Sequence, residues 1–268
     1  MTETTSLVAL WCWYHGGPFR GYQSQLEGPT VQDTMRAALQ RAGFSRNPTA
    51  CSRTDLGVHA RMQVLSMRVL SGEPLSELAP RVNAELDHRL GVACVRPAPR
   101  KFNAAWSATG KEYRYRLSTL AHPDWQGCAW QVAVAPERLE ALAPLLEGTR
   151  DFSAFHDPAS TVKPRTIRSA RLHRLGDGLM EVRIRGDAFG RYMVRTLVGA
   201  LVDVASGERS VGELEAGLTE GRRFRPTRAP PQGLILWEVE YAAGVDPFAA
   251  DRLAPPALPA QPPFVSTT

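Results

Sequence analysis

Strand-like and helix-like segments follow one another along this chain without a repeating strand–helix–strand rhythm, and that irregular order constrains the fold most. Ser6–Tyr14 is rich in aromatic and branched residues and reads as a strand. Thr30 stands as an N-cap before Val31, Met35, Ala38, Leu39 and Ala42, which recur at helical spacing until Gly43. Strands are expected at Arg61–Leu70, Gly91–Pro97, Lys111–Thr119, Ile167–Leu175, Leu179–Gly186 and Leu234–Tyr241. Helices are expected at Pro74–Leu86, Pro136–Glu147 and Phe189–Ser206, the last with an apolar face of Phe189, Met193, Leu197, Ala200, Leu201 and Val204. Such a mixture predicts an α+β protein with a sizeable, mainly antiparallel sheet flanked by helices. From Pro247 onward proline and alanine dominate, and the segment is expected to lack packed structure.

A chain of 268 residues, 43% of them hydrophobic, can bury a core without staples, as one large domain or two moderate ones. Cys12, Cys51, Cys94 and Cys128 are scattered, with no Cys-x-x-Cys pair, which argues against a structural zinc or a disulfide framework and suits a reducing cytoplasm. The first residues have neither the basic start nor the cleavage site of a signal peptide, and no apolar run is long enough for a bilayer, so a soluble protein with no membrane partner is expected. The formal charge is +5; three of the 32 basic residues are lysines (Lys101, Lys111, Lys163), and the other 29 are arginines. Thr161–Arg209 carries ten basic residues against five acidic ones, and Gly221–Arg228 adds four arginines. Arginine's planar fork suits phosphate, so a polyanion is the expected partner, although GC-rich coding also raises arginine content.

The stretch SRTDLGVHA, Ser52–Ala60, sets one carboxylate, Asp55, in a short polar run between apolar strands, followed by Gly57, which permits backbone angles other residues resist. Such a turn can present a carboxylate into a cleft; an Asp of this kind can also do no more than cap its own turn. His59 reads mainly as structural, and no second histidine or carboxylate cluster accompanies it as a metal site would require.

Three further stretches accompany it in order: YHGGPFRGYQ (Tyr14–Gln23), FNAAWSATGKEYRY (Phe102–Tyr115) and RGDAFGRYMVRTLVGAL (Arg185–Leu201). With SRTDLGVHA, and with DFSAF at Asp151–Phe155, they resemble the TruA family of tRNA pseudouridine synthases over nearly the whole chain. The resemblance implies the pseudouridine synthase fold, with two similar α/β subdomains around a central cleft. They are expected at 1–105, carrying Asp55, and 106–246, carrying Tyr113 and Arg195, with a tail at 247–268. It implies Asp55 as the catalytic aspartate, Tyr113 as the tyrosine that stacks on the target uracil, and Arg195 as an arginine paired with the aspartate. Arg53 flanks the aspartate as a substrate-binding candidate or as a surface ion-pair partner. A homodimer holding tRNA by its anticodon arm is implied, as are targets on the 3′ side of that arm. No cofactor is needed, because isomerisation neither oxidises nor transfers a group.

Several positions depart from the usual pattern. Ser52 stands for Gly, Asn103 and Ala105 replace the His and Arg of F-H-A-R, Asp187 stands for Asn, and His15 replaces the Asp of Y-D-G. These changes bear on RNA positioning and not on the three implied site residues. Two other classes fit the residues: a non-catalytic tRNA-binding protein on the same scaffold, and a nucleic-acid glycosidic hydrolase, for which a second carboxylate would be expected.

Overall fold

The computed structural model describes residues 4–121, 123–161, 163–220, 225–259 and 262–264. In chain order the elements are β1 (Thr5–Tyr14), α1 (Val31–Arg41), β2 (Thr49–Ala50), β3 (His59–Leu70), α2 (Leu75–Asn83), β4 (Leu90–Pro97), β5 (Ala108–Ser118), β6 (Trp130–Gln131), α3 (Pro136–Leu142), β7 (Gly148–Arg150), β8 (Arg165–Gly176), β9 (Leu179–Gly186), α4 (Met193–Ser206), α5 (Val211–Glu220), β10 (Leu234–Tyr241) and α6 (Ala249–Leu253). The class is α+β, as expected, with pairing that is mostly antiparallel. Two compact units can be distinguished: one runs to Thr109 and resumes at Leu236, and the other spans Gly110–Ile235. Among the described residues no helix is long and apolar enough to cross a membrane.

In the first unit the strand order is β4-β1-β3-β10, with β2 paired to β3. β1 runs antiparallel to β3 from Thr5↔Leu70 to Tyr14↔Ala60. Val8, Ala9 and Leu10 of β1 and Met62, Val64 and Leu65 of β3 are buried, so these central strands read as continuous apolar runs. Thr30 caps α1 as expected, its hydroxyl accepting from the Asp33 N–H at 3.1 Å. α2 is shorter than its pattern suggested. Asn83 ends it, because both ends of its amide are engaged by the Val92 backbone of β4, at 2.9 and 2.8 Å.

The second unit orders β5-β9-β8-β7, with β6 beside β5. β5 and β9 pair antiparallel with Tyr113 opposite Ile184 and Tyr115 opposite Val182. The helix expected over Pro136–Glu147 becomes α3 followed by a 3-10 turn at Ala143–Leu146, because Pro144 cannot donate a backbone hydrogen bond. α4 begins at Met193, four residues later than the apolar pattern suggested, because Tyr192 before it holds a left-handed φ of 65°. α5 carried too weak an apolar stripe to be anticipated.

The segment from Pro247, expected to lack packed structure, is corrected for its described part. Phe248 is fully buried and meets Trp11 edge-on at 5.9 Å, and α6 follows, with Asp251 paired to Arg96 and Arg252 to Asp246. Two aromatic anchors, Phe248 and Phe264, outweigh the average composition around them.

Candidate active site

Asp55 lies on the turn that leads into β3, half-buried, with Arg53 and Leu56 exposed beside it and Ser52 and Thr54 buried. The turn is gripped by polar groups that the strands supply. The Gln63 side chain, fully buried in the middle of β3, accepts from the Ser52 N–H at 3.1 Å and donates to the Ser52 carbonyl at 2.6 Å. The Tyr14 and Thr54 hydroxyls share a hydrogen bond of 2.8 Å. Burial pushes the Tyr14 pKa well above its ordinary value, so its hydroxyl stays a neutral partner. Within the turn, the Val58 N–H donates to the Asp55 carbonyl at 3.1 Å, and Gly57 has a φ of 80°.

The YHGGPFRGYQ stretch forms the other wall of this turn. The Tyr22 N–H donates to the Thr54 carbonyl at 3.0 Å. A Cβ on Gly16 would lie 2.2 Å from the Val58 carbonyl oxygen, so only glycine permits this approach. The Gly16 N–H donates to Nδ1 of His59 at 3.1 Å, which makes that nitrogen an acceptor and the His59 ring a structural peg, as expected. His15 stacks edge-on against His59, with ring centres 5.6 Å apart. Burial, with lesser contributions from Arg89 and His88, lowers its pKa to about 4. This backbone is preorganised: its shape is set by five or more contacts outside Asp55 itself.

Tyr113 and Arg195 belong to the second unit. Residues alternate across β5, so Tyr113 and Tyr115 face one side and Glu112, Arg114 and Arg116 the other. Tyr113 is largely buried and meets Phe189 edge-on, with ring centres 5.2 Å apart. Tyr115 is a core residue, its hydroxyl donating to the Pro230 carbonyl at 2.7 Å. On the opposite face Glu181 is held by Arg183 at 2.7 Å and by Arg114 and Arg116, each at 3.2 Å. Burial alone would raise the Glu181 pKa, but the guanidinium groups around it hold it below the usual carboxylate range. Arg195 sits in the first turn of α4 and donates from Nε to the Ala229 carbonyl at 2.8 Å. Its guanidinium also lies 5.7 Å from the Tyr192 ring.

Three of the departures noted in the sequence have local structural uses. The Asn103 side chain accepts from the Ala105 and Trp106 N–H groups at 2.9 and 3.0 Å, closing a turn. Asp187 accepts from the Thr166 N–H at 2.9 Å. His15 packs edge-on between the His59 and Phe264 rings. Gln63 and Thr54 were not singled out from the sequence. The available signal was a polar amide in the middle of an otherwise apolar strand, MQVLSM, where a fully buried glutamine needs partners.

A family model described as tRNA pseudouridine synthase matches residues 142–242. A tRNA pseudouridine synthase A of Geobacillus kaustophilus is 33% identical over 236 residues, covering 85% of this chain and 92% of the relative. The protein of that name from Neisseria meningitidis serogroup C is 36% identical over 239 residues, 85% of this chain and 89% of its own. That of Roseiflexus sp. is 34% identical over 258 residues, covering 92% and 95%.

Proposed function

The chain belongs to the tRNA pseudouridine synthase A family, and from that premise we propose that Asp55 is the carboxylate with which it isomerises uridine to pseudouridine in tRNA. The reaction breaks the N1–C1′ bond of uridine, turns the uracil over and joins C5 to C1′. The C5 proton is lost and N1 gains one, so atoms and electrons balance without a cofactor. Whether the carboxylate attacks C1′, attacks C6 or takes a proton from the sugar, it has to be ionised.

The observation that carries the assignment is the way its backbone is held. A turn held at Ser52 and Thr54 by Gln63 and Tyr14, and closed by glycine at position 16, fixes the backbone that carries the Asp55 carboxylate before substrate arrives. An aspartate needed only to cap a turn would not require that outer frame. Arg195 is assigned as the guanidinium that favours the ionised form of Asp55. Tyr113 is assigned as the ring on which the extruded uracil stacks, contributing about 1–3 kcal/mol against the cost of flipping. Arg53, exposed two residues from Asp55, is assigned to the RNA backbone. The substrate region is the 3′ side of the anticodon arm, the working form is a homodimer, and the compartment is the cytoplasm.

Release of tritium from C5-labelled uridine in tRNA, measured with a chelator present, tests the reaction. Release without free uracil or strand cleavage is expected. Free uracil would indicate a glycosidic hydrolase, and binding without release would indicate a tRNA-binding protein.

A further inference from the structure

Three guanidinium groups converge on one aromatic ring in the second unit. Arg228 lies 4.0 Å from the centre of the Tyr192 ring, Arg191 lies 4.6 Å away and Arg195 5.7 Å. Arg228 is 33 residues from Arg195 in sequence, so the cluster is built by the fold and not by a basic run.

The segment 225–229 is strapped along α4 to build it. The Thr227 N–H donates to Asp203 at 2.7 Å, the Ala229 N–H to the Arg195 carbonyl at 3.1 Å, and Arg209 to the Arg225 carbonyl at 2.7 Å. Where the strap crosses the helix, a Cβ on Gly199 would sit 1.6 Å from the Thr227 carbonyl oxygen, so glycine is required there. Arg228 is exposed, and no ion pair with it occurs among the described residues. Arg191 has a loose pair with Asp157 at 3.7 Å, with its side chain 61% exposed. The tyrosine itself is held in a left-handed conformation that a bulky residue rarely adopts, a form of strain that tends to persist where a site needs the side chain.

Arg191 and Arg228 bring two exposed positive charges to one ring, a place where an anion is favourably received. A guanidinium laid on a ring by cation–π contact keeps its in-plane N–H donors for a bidentate acceptor. We infer that Arg191 and Arg228, held on the Tyr192 ring, form a clamp for a backbone phosphate of the RNA substrate. This rests on the tRNA reading above. It also gives Arg228, the last member of the arginine-rich run Gly221–Arg228, a specific task; Arg222 and Arg223 of that run lie outside the described residues.

The test uses the full chain with an unmodified tRNA transcript, comparing wild type with R191Q, R228Q, the double variant, and R174Q as a control. Arg174 is also on the second unit but is neutralised by Glu137 and Glu140. Each clamp variant should weaken tRNA binding about tenfold near physiological salt and lower the slope of log Kd against log salt by about 0.7–0.9. The double variant should lower the slope by about 0.7–0.9 as well, because one phosphate contact is lost in all, while R174Q leaves affinity and slope unchanged. An unchanged slope in the double variant, or an equal change in R174Q, overturns the clamp. Failure of the wild type to bind tRNA at all would instead overturn the reading on which it rests.

Discussion

Replacing Gln63 with leucine would strand the N–H and the carbonyl of Ser52 in a buried position, since one amide side chain satisfies both. Each buried backbone group left unpaired costs about 1–3 kcal/mol, so Gln63→Leu should lower the unfolding free energy by about 2–6 kcal/mol. It should also depress kcat more than it raises KM, because the frame around Asp55 loosens while phosphate contacts remain; denaturant unfolding with steady-state kinetics checks both. His15 carries a second residue-level prediction. Burial lowers its pKa from an ordinary value of 6.5 to about 4, so the folded form keeps it neutral while the unfolded chain protonates. Its contribution to stability is therefore complete above about pH 6.5 and is lost as pH falls toward 4. His15→Asn should flatten the pH dependence of stability across that window, read from melting temperatures at stepped pH. An undiminished slope would place the effect on another group.

At the scale of elements, the paired strands β5 and β9 carry two unlike faces. One presents Tyr113 and Tyr115, and the other presents the lattice of Glu112, Glu181 and four arginines. Removing the carboxylate from such a lattice leaves Arg116, 1% exposed, without its main counter-charge. Glu181→Gln should therefore cost about 3–5 kcal/mol of stability, measured by denaturant unfolding. Because the folded pKa of Glu181 is depressed, its stabilisation is present above its unfolded pKa, near 4.5, and is lost as pH falls below that; the variant should lose this acid limb. The strands themselves were legible because branched and aromatic residues run or alternate along them. The start of α4 was not, since its apolar periodicity extends back to Phe189 while Tyr192 breaks the helix through a backbone angle that tyrosine does not advertise. The turn around Asp55 was legible as a string, R-T-D-x-G-V-H-A, but its outer frame was not. The partners of Gln63 depend on the register of β3 against the turn, which only the folded pairing sets.

Across the whole molecule, the +5 charge overstates how much surface is available to RNA. Many of the 29 arginines are internal counter-ions: Arg114 and Arg116 serve Glu181, Arg174 serves Glu137 and Glu140, and Arg252 serves Asp246 and Glu238. Composition alone gave no means of separating these from cations such as Arg53 and Arg228, which the structure leaves exposed. Because affinity is expected to come from a minority of arginines and reactivity from one acid, the two should separate cleanly on mutation. The most direct measurement is single-turnover release of tritium from C5-labelled tRNA by Asp55→Ala, alongside its tRNA Kd. With Asp55 as the one reacting acid, no release above the buffer rate is expected, and Kd stays within a few-fold of wild type. Release at a rate near that of the unaltered protein would contradict that role for Asp55.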